Sequence, residues 1–122
     1  MNHYIGTDII EIGRIRQAVK RYGPRFLNRV YTPDEIKSYG HIMPLLAAIF
    51  AGKEAVMKVL GTGARGVAWR EIEVLLQKSG KPYVKLHGRA VKAAEKLGIK
   101  EIDISMSDSK EFATAVAIGC VG

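Results

Sequence analysis

The chain has 122 residues, 48% hydrophobic and 25% charged, a balance that suits one folded domain over residues 1–122 and argues against disorder or a second domain. Every apolar run is shorter than the roughly 18 residues a membrane span needs, Met1–Tyr4 lack a signal-peptide layout, and a single cysteine, Cys120, excludes an internal disulfide and a cysteine-based zinc site; a cytoplasmic protein with a buried, quiet thiol is expected. The net charge of +7 is concentrated in Arg14, Arg16, Lys20, Arg21, Arg25 and Arg29, with no acidic residue among them, and such a block predicts an acidic partner: nucleic acid, an anionic membrane surface or an acidic protein.

Residues 3–10 read as a strand, with Ile5 and Ile9 on one face and Gly6, Asp8 and Ile10 on the other. Asp8 is the anomaly, because acidic residues are depleted in strands and Gly6 beside it opens a gap next to the carboxylate. It either caps the following helix or serves a site. Residues 11–22 are helical, with Ile12, Ile15, Val19 and Tyr22 inward and Arg14, Gln17, Lys20 and Arg21 outward. Gly23-Pro24 breaks this helix, and 25–30 repeats the arrangement in a short turn of helix. Thr32-Pro33-Asp34-Glu35 starts another helix, with Thr32 as cap and Glu35 completing a capping box; this signal is structural. His41 falls in the loop 40–44 and has no second histidine at metal spacing.

From Leu45 to Leu60 the residues are strong helix formers, apolar on most sides, which predicts a largely buried helix. Ala47, Ala51, Glu54 and Lys58 share one stripe, and the two alanines leave room for a metal ion, a phosphate or another close neighbour. The plainer alternative is a surface Glu54–Lys58 pair above a glycine cap. Gly61 ends the helix, and Gly61-Thr62-Gly63 is expected to expose amides and a hydroxyl able to hold phosphate oxygens. Two strands, 69–77 and 83–86, form a hairpin across the turn 78–82. A helix over 88–97 stops at Gly98, and strands around Ile102–Met106 and over 112–121 form a terminal antiparallel hairpin.

Two carboxylates, on the first strand and on the long helix, suit Mg²⁺, which takes one or two protein carboxylates and completes its shell with water and phosphate oxygens. Lys58 and backbone amides would neutralise those oxygens during transfer. Ile5-Gly6-Thr7-Asp8-Ile9 with Glu11 and Arg14-Ile15, then Arg25-Phe26 and Arg29-Val30-Tyr31-Thr32 with Glu35, begin a recognisable order of motifs. Phe50-Ala51-Gly52-Lys53-Glu54-Ala55 with Lys58 and Gly61-Thr62-Gly63, then Gly80-Lys81-Pro82, then Ser105-Met106-Ser107 with Lys110-Glu111-Phe112-Ala113 complete it. Over essentially the whole chain this order resembles the holo-[acyl-carrier-protein] synthases.

The resemblance implies a small Mg²⁺-dependent enzyme that moves the 4′-phosphopantetheine arm of coenzyme A onto a serine of acyl carrier protein for fatty acid biosynthesis, releasing adenosine 3′,5′-bisphosphate. It implies an α+β fold, with antiparallel strands packed on a long buried helix, that assembles as a homotrimer with active sites between subunits. By that resemblance Asp8 and Glu54 hold the metal, and Glu54 and Lys58 act in catalysis. Lys58, Gly61, Thr62, Gly63, Lys81, Pro82 and Asp108 meet coenzyme A, and Arg14, Arg21, Arg25 and Arg29 meet the acidic helix of the carrier protein. The serine proton passes to Glu54 or to a water on the metal. Neither nucleic acid nor a membrane is an expected partner; the basic stretch has no interleaved aromatics.

Two positions depart from the family pattern. Asp108 stands where a histidine is usual, and Ile49 where a basic residue is common; the resemblance places both near the nucleotide phosphate. They imply weaker 3′-phosphate recognition, unless Lys110 or Arg65 replaces the charge. The alternative function is a family-like binding module for coenzyme A or carrier protein that no longer turns over. Retention of two mutually repelling carboxylates argues for the enzyme.

Overall fold

An 18-residue helix with charge only near its end must be wrapped by the rest of the chain, and the computed structural model, which describes residues 3–122, shows that arrangement. The elements run β1 (His3–Glu11), α1 (Ile12–Tyr22), α2 (Pro24–Val30), α3 (Pro33–Tyr39), α4 (Met43–Leu60), α5 (Gly63–Gly66), a 3-10 turn (Trp69–Glu71), β2 (Ile72–Leu76), β3 (Pro82–Leu86), α6 (Gly88–Leu97), β4 (Ile99–Asp108) and β5 (Phe112–Val121). One antiparallel sheet has the order β1-β5-β4, and the hairpin β2-β3 forms a second. This is the expected α+β architecture, with antiparallel strands packed on the long helix.

α4 lies against β1 and β5 and also touches β2 and β4. Register puts Gly6, Asp8 and Ile10 across from Ala117, Ala115 and Ala113, and the three alanines are buried. The small residues let the sheet approach the helix closely. The tightest point is Gly6, where a Cβ would fall within the van der Waals shell of the Ala55 carbonyl oxygen. The gap expected beside Asp8 is therefore filled by α4 itself. Ala47 and Ala51 are likewise fully buried in the protein's own core.

The opposite face of this sheet is apolar and uncovered in the single chain. Ile5 is 65% and Ile9 63% exposed, and Val116 and Ile118 of β5 lie on the same face, with Ile5 directly opposite Ile118. Cys120, expected to be buried, is only half-buried near the end of β5.

The core holds an ionic network that periodicity did not reveal. Lys53 and Glu35 have fully buried side chains with the Lys53 Nζ 2.7 Å from Glu35 Oε1. The same ammonium donates to the carbonyl oxygens of Trp69 at 3.0 Å and Ile72 at 2.5 Å, so all three of its donors have acceptors. Glu35 Oε1 also accepts from Thr32 N, closing the predicted capping box, and Oε2 accepts from Val74 N. Thr32 Oγ1 donates to Glu73 Oε2 at 2.5 Å, and Glu73 Oε1 meets His87 Nε2 at 3.0 Å. Burial lowers the pKa of Lys53, against the pull of Glu35 and Glu73. Burial alone would raise Glu73, but the hydrogen bonds from Thr32 and His87 and the nearby positive charge prevail and lower it.

This network pins α3, α4 and β2 to one another. Removing one member of a buried pair leaves an uncompensated charge, whereas replacing both by neutral groups costs far less. Lys53→Met should lower the unfolding free energy by about 3–5 kcal/mol. Adding Glu35→Gln should recover part of that loss in urea denaturation; equal or greater loss in the double variant would show that the stranded carboxylate is not the cause.

Candidate functional site

Alongside β1 the helix α4 carries its one carboxylate, Glu54, half-buried. Beyond Gly6, Asp8 projects from the same face of the strand, and α4 brings Glu54 and Lys58 to meet it. Lys58 Nζ donates to the Thr7 carbonyl oxygen at 2.6 Å and lies 3.3 Å from Asp8 Oδ1. Its side chain is more than half exposed, so this contact adds little stability but leaves a positive charge at the mouth of the site. The surface Glu54–Lys58 pair offered by spacing is replaced by a pairing of Lys58 with Asp8.

Glu54 is half-buried, and burial followed by the Asp8 carboxylate raises its pKa; the Trp69 indole and Lys58 oppose that rise. Two carboxylates on different elements, close enough for Asp8 to disfavour the charge of Glu54, are a donor set that a divalent cation would stabilise. Among the described residues no cluster of three or more His, Cys, Asp or Glu side chains has metal-site geometry. Two carboxylates with open space suit Mg²⁺ rather than a cation requiring a full protein cage. Asp8 does not cap α1; the strand continues to Glu11, and α1 starts at Ile12.

Past Lys58 the helix ends as expected, with Gly61 in the left-handed conformation at φ 70°. The amides of Gly61 and Thr62 donate back to the Lys58 and Met57 carbonyl oxygens, and Thr62 Oγ1 is buried. Those two amides and that hydroxyl are thus turned to the helix end and the interior, not outward as sequence suggested. The outward-facing part of the motif is the short turn α5 that begins at Gly63.

The remaining candidates fall elsewhere. Asp108 is exposed at the end of β4, in the row Asp108–Ala113–Ile10, one row along the same sheet face from Met106–Ala115–Asp8. Ile49, at the position that the resemblance places near the nucleotide phosphate, is fully buried in the core of this chain. Lys81 and Pro82 belong to the β2-β3 hairpin, whose Leu76 and Tyr83 border a groove with Ile42 and Leu45 near the start of α4. At about 1.5 Å per helical residue, that groove lies roughly 15–20 Å along the helix from Glu54 and Lys58. Within one chain the fold unites Asp8, Glu54 and Lys58 and leaves Lys81 and Pro82 apart. Arg14 and Arg21 lie on α1 and Arg25 and Arg29 on α2, all exposed, and none takes part in an ion pair among the described residues. Tyr22, Arg25, Phe26 and Arg29 together line a shallow depression there.

Sequence reasoning missed Lys53 and Trp69. Lys53 had one available signal, a cation inside a helix otherwise buried on almost every side. Trp69 had none, because it was assigned to a strand; Glu71 Oε1 accepts from Ala68 N and turns this segment into a 3-10 helix.

The family model of the 4′-phosphopantetheinyl transferase superfamily matches residues 4–117. The chain is 47% identical over 115 residues to a holo-[acyl-carrier-protein] synthase of Dehalococcoides mccartyi, covering 94% of this chain and 96% of that one. Its fold is similar to the crystal structure of a holo-[acyl-carrier-protein] synthase from Neisseria meningitidis, with a TM-score of 0.87, 36% identity and coverage of 96% and 97% of the two chains. It is also similar to the holo-[acyl-carrier-protein] synthase of Helicobacter pylori in complex with coenzyme A, with a TM-score of 0.86, 30% identity and coverage of 95% and 99%.

Proposed function

The chain belongs to the 4′-phosphopantetheinyl transferase superfamily, and from that premise we propose that Asp8, Glu54 and Lys58 are its reaction centre. The enzyme transfers the 4′-phosphopantetheine arm of coenzyme A to a serine of apo-acyl carrier protein, a step that serves fatty acid biosynthesis. The serine oxygen bonds to the phosphorus of the arm, the bond to adenosine 3′,5′-bisphosphate breaks and that group departs, and the serine proton passes to Glu54 or to water. The observation that carries the assignment is the meeting of Asp8 from β1 with Glu54 and Lys58 from α4 at an open edge.

Asp8 and Glu54 would hold Mg²⁺, which supplies charge neutralisation at the phosphate oxygens. Lys58, partly exposed beside them, reaches toward the same phosphates and orients them. Gly61, Thr62 and Gly63 shape the turn past which the donor runs, and Asp108, on the same sheet face, borders its nucleotide end. Arg14, Arg21, Arg25 and Arg29, free of intramolecular ion pairs among the described residues, are available to acidic groups of the carrier protein.

The protein acts as a homotrimer. Two observations support self-assembly: the uncovered apolar sheet face around Ile5, Ile9, Val116 and Ile118, and the separation of Lys81 and Pro82 from Asp8 within one chain. A neighbouring copy would bring its hairpin to the site. Residues 1–122 act as one domain, in the cytoplasm; among the described residues no helix is long and apolar enough to cross a membrane.

The test is the mass of an apo-acyl carrier protein incubated with the enzyme, coenzyme A and Mg²⁺. The wild type should add one phosphopantetheine arm, and Asp8→Asn and Glu54→Gln should each slow the gain by about 100-fold or more, the loss of roughly 3 kcal/mol of charge stabilisation. Near-normal rates in either variant would remove that residue from the reaction centre. Arg14→Glu with Arg25→Glu should raise the KM for carrier protein by an order of magnitude or more, since each reversed rim charge opposes encounter, and leave coenzyme A affinity unchanged. Weakened coenzyme A binding would place the donor, not the carrier, on that face.

A further inference from the structure

Two buried side-chain polar atoms have no hydrogen-bond partner among the described residues, Thr62 Oγ1 and Trp69 Nε1. An unmade buried hydrogen bond costs on the order of 1–3 kcal/mol, so an orphaned donor beside a reaction centre calls for an acceptor. Trp69 is held from two sides. Its carbonyl oxygen accepts from the buried Lys53 ammonium at 3.0 Å, and its ring rests against Phe50 with centroids 5.9 Å apart and planes tilted by 31°. Phe50 and Glu54 are one helical turn apart on α4 and share a stripe. A ring lying on Phe50 therefore sits beside the stripe that carries Glu54. The indole does favour the ionised form of Glu54, although its geometry falls short of a full hydrogen bond.

We propose that Trp69 is a positioning residue: its indole N–H takes one oxygen of the Glu54 carboxylate and turns the other toward Asp8. This deepens the reading of Asp8 and Glu54 as the cation-binding pair, and it rests on that reading. The indole is a donor only and does not titrate, so it holds the carboxylate without competing for its proton. Such a contact fixes a ligand's orientation from behind and commonly governs metal affinity. It also gives the buried Lys53 a purpose at the site. By fixing the Trp69 backbone, the Glu35–Lys53 pair determines where the indole edge can point.

The sequence contains one tryptophan, so the ¹H–¹⁵N spectrum of the full chain has one indole signal. In Glu54→Ala that signal should move upfield and its proton should exchange faster with water, because the charged acceptor is gone. In Trp69→Phe, which keeps a ring against Phe50 and removes the donor, Mg²⁺ titrated into the protein should bind on the order of 10-fold more weakly. An indole signal indifferent to Glu54→Ala overturns the proposal whether or not the phenylalanine variant folds. Unchanged Mg²⁺ affinity in Trp69→Phe, with affinity lost in Glu54→Ala, overturns it while leaving the cation site intact. Wild-type Mg²⁺ affinity in Glu54→Ala removes the cation site itself, and the role of Trp69 falls with it.

Discussion

The close approach of β1 to α4 at Gly6 is the constraint on which the rest of the architecture turns. Backbone meets backbone there, with no room for a side chain between Gly6 and the Ala55 carbonyl. Two residues further along the strand, the same face presents Asp8 to the end of α4 that bears Glu54 and Lys58. A strand held off by a side chain at this point would carry Asp8 away from Glu54 and Lys58. The alanines of β5 extend this proximity across the sheet, so the apolar packing that stabilises the fold also sets the geometry of the charges at its edge.

A second restraint comes from the opposite side of the helix. Lys53 and Glu54 are sequence neighbours that face different environments, one sealed in the core and the other opening to the site. Lys53 ties the segment after α5 back to α4 through two carbonyl oxygens, and that segment carries Trp69. Buried ion pairs are poor sources of net stability compared with well-packed apolar groups. Here the pair specifies position, joining the capping box of α3, the start of β2 and the turn at Trp69 in one arrangement.

Much of this was legible in the sequence because local chemistry and final structure agree. The capping box at Thr32–Glu35 and the glycine stops at Gly61 and Gly98 each name an element's end, and the alternation of Ile102, Ile104 and Met106 names β4, which begins three residues earlier at Ile99. Asp8 stood out because an acidic residue is out of place in a strand. What could not be read were consequences of long-range packing. Nothing local pairs β1 with β5, the last strand, and nothing local shows that Glu35 serves both its own helix cap and a lysine on the next helix. Ile49, where the family pattern has a basic residue near the nucleotide phosphate, faces the core, and its burial was not legible in the pattern. The turn at Gly61-Thr62-Gly63 was found, yet its first amides are consumed by the end of α4.

The central claim is that Asp8 and Glu54 act as one unit although they lie on different elements. Groups that serve a single function give strongly non-additive losses when removed together, whereas independent groups give losses that multiply. The decisive measurement is the single-turnover rate of arm transfer for Asp8→Asn, Glu54→Gln and the double variant at saturating Mg²⁺ and coenzyme A. The account predicts that the double variant is no slower than the slower single variant within about twofold. A double-variant rate reduced by the product of the two single losses would contradict it.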